Sequence, residues 1–339
     1  MGQTAGFAAG SWIVQQLPGI SHLPCNPATG IVPPMRKKAF NLYSTHLKQH
    51  FGGRVHKISI DAGFGCPNRQ GGRDSHGCIF CDPGGSGAVG IERNEAIPVQ
   101  LERGKELMRR KYRAKWFIAY FQPFTNTFAP VPHLRDCYDQ ALAVEDVVGL
   151  AIGTRPDCLP EPVIELLAEY QQKTDFWLEL GLQSIHDKSL DYIQRGHDYA
   201  CFLDAYQRAK QRDLRICAHV ILGLPGESRD DILATADEVA RLQVDGIKLH
   251  LLHVLNGTPL GELYKQGQVP MLEMEEYVEL VVDFIERLPP NTLIHRLTGD
   301  GPRDILLAPI WSMNKWEVLN AIDAELERRG SKQGDKYKS

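Results

Sequence analysis

The chain has 339 residues, of which 43% are hydrophobic and 24% are charged, a composition typical of a soluble globular protein. Its formal net charge of −4 excludes nonspecific binding of nucleic acid over the whole surface, so any nucleic-acid contact must be a local patch. The irregular spacing of most of the eight cysteines favours a reducing cytoplasm over a disulfide framework.

The first 34 residues differ in character from the rest of the sequence. They are poor in charge and rich in Gly, Ala and Pro. Their apolar stretches are interrupted, unlike the core of a signal peptide, and the sequence contains no apolar span of about 18 residues that would cross a membrane. We therefore expect 1–34 to be a disordered extension or the product of a start codon placed too early, with Met35 as the natural first residue.

From Met35 onward, strand-like and helical patterns alternate. Apolar runs predict strands at 55–60, 116–121, 147–153, 176–184, 215–226 and 246–255, and helices are predicted at about 94–114, 133–145, 161–172, 200–212 and 229–242. This alternation is typical of βαβ units with a parallel sheet. Six repeats are fewer than a closed barrel needs, so the sequence predicts an α/β fold, a partial (β/α)6 barrel over 35–260.

Amphipathic patterns at 273–288 and 314–329 predict two more helices. We interpret 261–330 as a C-terminal helical extension packed on the barrel, followed by a basic tail at 331–339.

Three cysteines directly follow the first predicted strand. Eleven residues separate Cys66 from Cys78, and two separate Cys78 from Cys81. Structural zinc sites and ordinary electron-transfer clusters use four ligands, whereas three thiolates on a cubane cluster leave one iron open for chemistry. The pattern also allows a zinc half-site completed by His76 or His56, or a thioredoxin-like redox pair.

Polar side chains follow four successive strands. Gln122 ends the second, Thr154 and Arg155 end the third, and Gln183 ends the fourth, with Arg195 twelve residues further on. The fifth strand ends in the sequence GLPGE. Because the carboxyl ends of parallel strands meet at one face of a barrel, these groups are expected to lie together.

These motifs resemble those of a known superfamily. Cys-Ile-Phe-Cys, the TRPD sequence at 154–157, the paired ExGxQS and RGH sequences and GLPGE resemble the branch of radical SAM enzymes that contains the elongator catalytic subunit and oxygen-independent coproporphyrinogen oxidase. The segments 51–72, 78–87 and 296–323 resemble the YhcC/YtqA family specifically, and that similarity runs from about Met35 to about Arg329.

The resemblance implies a radical SAM partial barrel whose cysteine loop holds a [4Fe–4S] cluster that binds S-adenosyl-L-methionine (SAM) through the open iron. It implies that Cys66, Cys78 and Cys81 ligate the cluster. The implied SAM-binding residues are Phe80 and Gly223 near the adenine, Gln122 at the amino group, Gln183 at the ribose and Arg195 at the carboxylate, with Thr154 and Arg155 as further candidates.

The resemblance also implies a reaction, the conversion of carboxymethylaminomethyl-uridine to aminomethyl-uridine at the wobble position of tRNA. Partners would be tRNA and an electron donor such as flavodoxin or ferredoxin, in the cytoplasm. Two other hypotheses remain open: a radical SAM oxidoreductase acting on a small metabolite, and a noncatalytic, zinc-stabilised RNA-binding protein.

Two weaker patterns bear on the substrate. Lys248 and His250 lie on one face of the sixth strand, where they would bind an anionic or uracil-like substrate or form part of a hydrogen-bonded core. Basic residues at 36–38, 101–115 and 328–338 would form an RNA backbone track if they converge beside the barrel mouth.

Overall fold

The computed structural model describes residues 38–73, 75–85, 95–299 and 301–338. The expectations for the segment 1–34, including Met35 as the natural start, lie outside these residues. None of the described helices is long and apolar enough to cross a membrane.

Strands and helices alternate along the chain as the sequence predicts. The strands are β1 Val55–Ile60, β2 Trp116–Phe121, β3 Val147–Thr154, β4 Asp175–Gln183, β5 Ile216–Leu222, β6 Gly246–Leu251, β7 Val254–Leu255, β8 Leu293–Arg296 and β9 Leu306–Ala308. The helices are α1 Tyr43–Phe51, α2 Ile97–Tyr112, α3 Val131–Leu142, α4 Glu161–Lys173, α5 Asp187–Tyr192, α6 Tyr199–Lys210, α7 Arg229–Arg241, α8 Pro259–Lys265, α9 Met274–Arg287 and α10 Lys315–Arg329.

A parallel sheet forms the partial barrel. Its strand order is β1-β2-β3-β4-β5-β6-β8, and every neighbouring pair is parallel. β1 and β8 are the two edge strands and do not pair with each other, so the curled sheet forms an open barrel. The α/β partial-barrel prediction is confirmed.

The sheet has seven strands rather than the predicted six. The additional strand, β8, lies in the segment that the sequence predicted to be helical. Its four residues, Leu-Ile-His-Arg, are too few to show an alternating pattern. The predicted strand 246–255 is divided in two, because β6 continues the barrel whereas β7 pairs antiparallel with β9.

The strands are buried on both faces. β3 and β4 are almost continuously buried, as expected where helices cover a parallel sheet on the outside and side chains fill its interior. Helix α9 packs against α7 and α10 and contributes a wholly buried face, including Val281, Phe284 and Ile285. The two predicted C-terminal helices are thus part of the outer helical layer.

Aromatic side chains close the barrel at the amino ends of the strands. The ring of Tyr43, on α1, stacks on His295 with centroids 3.8 Å apart, and Trp177 contacts both rings edge-on. The sequence did not predict α1. Because this end is filled, a cavity within the barrel opens toward the carboxyl ends of the strands.

Candidate functional site

A cavity of about 470 Å³ lies at the carboxyl ends of the strands. Its volume is in the range of small-molecule sites, roughly 300–1,000 Å³. Nine of the ten predicted site residues line it: Cys66, Cys78, Phe80, Cys81, Gln122, Thr154, Arg155, Gln183 and Arg195. The residues predicted from the strand ends and the cysteine loop therefore lie together, and their roles stay predictions.

Gly223 is the predicted site residue that does not line this cavity. It has a φ of +86°, and a Cβ built there would lie 3.0 Å from Leu272 rather than facing the cysteine loop. The positive φ explains why glycine suits this turn after β5. Its contact with adenine stays a prediction.

Arg69 organises the cysteine loop from within. Its guanidinium donates hydrogen bonds to the carbonyls of Arg73, Ser75 and Asp82 at 2.6, 3.0 and 2.6 Å, and it lies 3.0 Å from the Cys81 Sγ. The side chain is buried, so its charge also favours a thiolate at Cys81. From the sequence we predict no role for Arg69. Its position between the first two cysteines was the signal that could have indicated one.

The loop is fastened to the segment that carries Arg195. The Asn68 amide donates to the carbonyl of Gln194 at 2.7 Å, and the backbone N–H of Ile79 donates to the carbonyl of Ile193 at 3.0 Å. These two bonds bring the cysteines and Arg195 to one wall of the cavity.

The three loop cysteines, Cys66, Cys78 and Cys81, form no disulfide with any residue that the structure describes. Among the described residues, no group of three or more His, Cys, Asp or Glu side chains converges so as to hold a single metal ion. A zinc site needs such convergence, whereas each thiolate of a cubane binds a different iron. Burial raises the pKa of the Cys81 thiol to about 11, and Arg69 opposes that shift. Three thiols are thus a donor set that suits an iron–sulfur cluster.

Arg195 lines the cavity, and one of its buried donors has no hydrogen-bond partner. Its Nη2 donates to the carbonyl of Gly181 at 3.1 Å, and its Nη1 lies 3.7 Å from the Cys78 Sγ. The Nε is buried and has no hydrogen-bond partner. A buried guanidinium donor without a partner is costly, so this geometry suits a carboxylate ligand beside the cysteines.

Gln183 occupies a strained backbone position. Its φ is +72°, at a register shift between β4 and β5. Left-handed backbone at a non-glycine residue costs free energy and is found mainly where the surroundings enforce it, often at binding sites. This bulge directs Gln183 into the cavity.

Arg155 bonds to the Asp157 carboxylate and to the backbone of Arg195. Its Nε and Nη2 donate to Asp157 at 2.9 and 2.8 Å, and its Nη1 donates to the carbonyl of Arg195 at 2.7 Å. The Thr154 Oγ1 bonds to Thr127 at 2.5 Å. These bonds hold the turn, so Arg155 and Thr154 support the cavity wall.

A buried ionic cluster lies deeper in the barrel. The Glu179 carboxylate pairs with Lys57 and Lys248 and lies 2.9 Å from the His219 Nε2. Despite burial, the two ammonium groups hold the pKa of Glu179 well below its usual range. Burial lowers the pKa of Lys248 to about 8 and, together with Lys248, that of His219 to about 4. His250 lines the cavity and the Lys248 Nζ donates to the Tyr120 hydroxyl at 3.0 Å, so both side chains lie inside the barrel.

The basic segments do not converge at the cavity mouth. The basic last turn of α2 precedes β2, at the amino ends of the strands, where the Arg54 carbonyl accepts from Lys115 N–H. Near the C-terminus, Arg329 pairs with Asp283 and Lys336 with Glu286. The condition for an RNA backbone track, convergence beside the barrel mouth, is therefore not met by the last turn of α2; residues 36 and 37 lie outside the described ranges.

Gly181→Ala is expected to weaken SAM binding while preserving the fold. The added methyl would lie 2.5 Å from the Arg195 Nη2, which is the flexible end of a side chain, so the guanidinium moves rather than the backbone. The loss of one charged hydrogen bond predicts about a tenfold higher dissociation constant for SAM, measured by equilibrium dialysis. The control Gly53→Ala, where a Cβ makes ordinary contacts of 3.4 Å or more, leaves the constant unchanged. Equal affinities for both variants would contradict this placement of Arg195.

Comparisons with known proteins agree with this geometry. The family model described as "Radical SAM superfamily" matches residues 63–239, and the model described as "Radical_SAM C-terminal domain" matches residues 244–328. The uncharacterized protein YtqA of Bacillus subtilis is 46% identical over 298 residues, 88% of this chain and 92% of YtqA. YhcC of Escherichia coli K12 is 41% identical over 295 residues, 87% of this chain and 94% of YhcC.

A solved structure shares the fold. The archaeal Methanocaldococcus infernus Elp3 with an N-terminal deletion superposes with a TM-score of 0.64 at 18% sequence identity. The match covers 82% of this chain and 64% of that one, so this chain spans under two thirds of that protein's length. At this identity the likeness concerns the fold alone.

Proposed function

Since the chain belongs to the radical SAM superfamily, and within it to the family of YtqA and YhcC, we propose that it is an enzyme that cleaves SAM at a [4Fe–4S] cluster and modifies the wobble uridine of tRNA. The observation that supports the first part is that Cys66, Cys78, Cys81 and Arg195 all line one cavity. When bound, the cluster supplies one electron to SAM, releasing methionine and a 5′-deoxyadenosyl radical that abstracts hydrogen from the substrate.

The protein's own groups hold and orient the reactants. Cys66, Cys78 and Cys81 would hold the cluster, and Arg69 would stabilise its negative charge through the Cys81 sulfur. Arg195 would bind the SAM carboxylate, with its position fixed by the bond from Arg155 to its carbonyl. The electron would come from a low-potential protein such as flavodoxin or ferredoxin.

Gln122 and Gln183 would complete the SAM site from the ends of β2 and β4, which lie on either side of β3. Gln122 accepts a hydrogen bond from the Ser59 hydroxyl at 2.9 Å through its Oε1, which orients the amide across the cavity. The aromatic ring of Phe80 lines the same cavity and offers a face for the adenine. The aromatic closure at the opposite end of the barrel keeps water from entering behind the reactants.

The tRNA substrate is supported by the family resemblance and by the shape of the cavity. The cavity extends from the cysteine loop down to the ionic cluster at Glu179, leaving room beyond the SAM-binding residues. A single unpaired base can be splayed from an anticodon loop into such a site without melting a duplex. The reaction proposed breaks the bond between the amino nitrogen and the carboxymethyl carbon: SAM would act as the two-electron oxidant, ending as methionine and 5′-deoxyadenosine, and water would hydrolyse the resulting imine to glyoxylate and aminomethyl-uridine.

Loss of the gene is expected to change the wobble nucleoside. Nucleoside mass spectrometry of tRNA from a deletion strain should show carboxymethylaminomethyl-uridine rising and aminomethyl-uridine falling to background, with restoration by a plasmid copy. The Cys81→Ala copy serves as the control that should not restore it. An unchanged uridine profile would reject the tRNA proposal and leave a small-metabolite substrate as the alternative.

A further inference from the structure

The deepest part of the cavity is a polar chamber between the strands. Tyr120, Glu179, His219, His250 and Arg296 line it, and we call this set the inner chamber. Glu179 lies four residues before Gln183 along β4, which places it about 13 Å further from the cavity mouth. None of these five residues is among those assigned to the cluster or to SAM.

The chamber is rich in positive charge among the described residues. Lys57 and Lys248 both pair with the single carboxylate of Glu179, and Arg296 adds a third cation. Glu179 is already engaged by both lysines and by His219, so it is a fixed counter-ion rather than an acceptor available to a ligand. The remaining positive charge favours an anionic ligand.

Two groups in the chamber have donors without partners. Arg296, the last residue of β8, is half-buried and pairs with β6 through its backbone, whereas no hydrogen bond or ion pair joins its guanidinium to another residue that the structure describes. The Nε2 of His250 is buried and has no hydrogen-bond partner. Burial and the nearby cations hold the pKa of His250 well below its usual range, so its imidazole is neutral and can donate through Nε2.

We propose that Arg296 and His250 bind a carboxylate of the substrate in the inner chamber. The guanidinium fork matches the two oxygens of a carboxylate, and the neutral imidazole adds a third donor. The inference rests on the proposed function, since a carboxymethylaminomethyl group ends in a carboxylate and its aminomethyl product does not. The SAM carboxylate is assigned to Arg195 beside Cys78, which leaves the inner chamber to the substrate.

The specific test compares two anticodon stem-loops on the SAM-loaded, cluster-containing enzyme. One stem-loop carries carboxymethylaminomethyl-uridine and the other aminomethyl-uridine, with binding measured by fluorescence anisotropy. The wild-type enzyme should bind the carboxylated form roughly 10- to 100-fold more tightly, the effect of a hydrogen bond to a charged group. Arg296→Gln should remove that preference without changing affinity for the aminomethyl form, and Arg296→Lys should retain part of it. Equal binding of both forms by the wild-type enzyme would overturn the proposal.

A second arm separates failure of this inference from failure of the tRNA proposal. Calorimetric titration uses N-methylglycine, N-methylglycine amide and inorganic phosphate as probes. Binding of N-methylglycine but not its amide, lost in Arg296→Gln and in His250→Phe, would support the carboxylate subsite even if neither stem-loop binds. Absence of N-methylglycine binding, or tighter binding of phosphate, would overturn it. Matching thermal unfolding of the variants and the wild type checks that the fold is intact.

Discussion

Cys81→Ala is expected to abolish cluster binding and SAM cleavage. Cys81 lies in the cavity wall with Cys66 and Cys78, and Arg69 holds its sulfur within 3.0 Å. Three thiolates would hold the [4Fe–4S] cluster, so removing one of them leaves the cluster with two protein ligands. Iron and acid-labile sulfide should fall to background after anaerobic reconstitution, and 5′-deoxyadenosine formation should fall with them.

Cys201→Ala is the matched control for this prediction. Cys201 is a free, half-buried cysteine near the start of α6, and it does not line the cavity that holds the three cluster cysteines. Its replacement should leave iron content and SAM cleavage unchanged. A Cys81→Ala protein that retains a full complement of iron and sulfide would contradict the assignment of this cysteine.

Glu179→Gln is expected to destabilise the fold strongly. The substitution leaves the Lys57 and Lys248 ammonium groups inside the barrel without their counter-charge. Breaking a buried ion pair by removing one partner costs about 3–5 kcal/mol in the free energy of unfolding. Urea-induced unfolding, followed by circular dichroism at pH 7, measures this loss.

The pH dependence of this variant gives a second readout. The pKa of Lys248 is already lowered by burial to about 8, below its unfolded value, and loss of Glu179 lowers it further. Between the folded and unfolded pKa values the unfolded state binds more protons, so stability rises with pH. The destabilisation should therefore be smaller at pH 9 than at pH 7.

Glu169→Gln is the control for Glu179. Glu169 pairs with Arg135 on the surface, where solvent screens the interaction, and its replacement should have little effect on unfolding. If the two variants unfold alike, the buried cluster does not contribute to stability as described.

The sequence predicts the barrel well because its strands are long and buried on both faces. The run that forms β2 is continuously apolar and the run that forms β4 is mostly so, both are bounded by helical patterns, and this signal is local. β8 has only four residues, two of them polar, so its place at the edge of the sheet depends on the rest of the fold. Local patterns cannot detect such a strand.

The residues of the candidate site likewise include some that the sequence identifies and some that it does not. Cys66, Cys78 and Cys81 are recognisable from spacing, and strand ends locate Gln183 and Arg195. Arg69 and Arg296 are not recognisable, because their roles depend on carbonyls and neighbours that are distant in sequence or on a strand that is not predicted. For the basic helix α2 the opposite holds. Its charge is evident in the sequence, but the direction of the chain places its last turn at the closed end of the barrel.

Formation of 5′-deoxyadenosine tests the central claim most directly. The enzyme is reconstituted anaerobically with iron and sulfide, reduced and mixed with SAM, and the products are separated by chromatography. The account predicts a brown wild-type protein that forms 5′-deoxyadenosine and a Cys81→Ala protein that forms none. A colourless wild-type protein that contains stoichiometric zinc and forms no 5′-deoxyadenosine would contradict it.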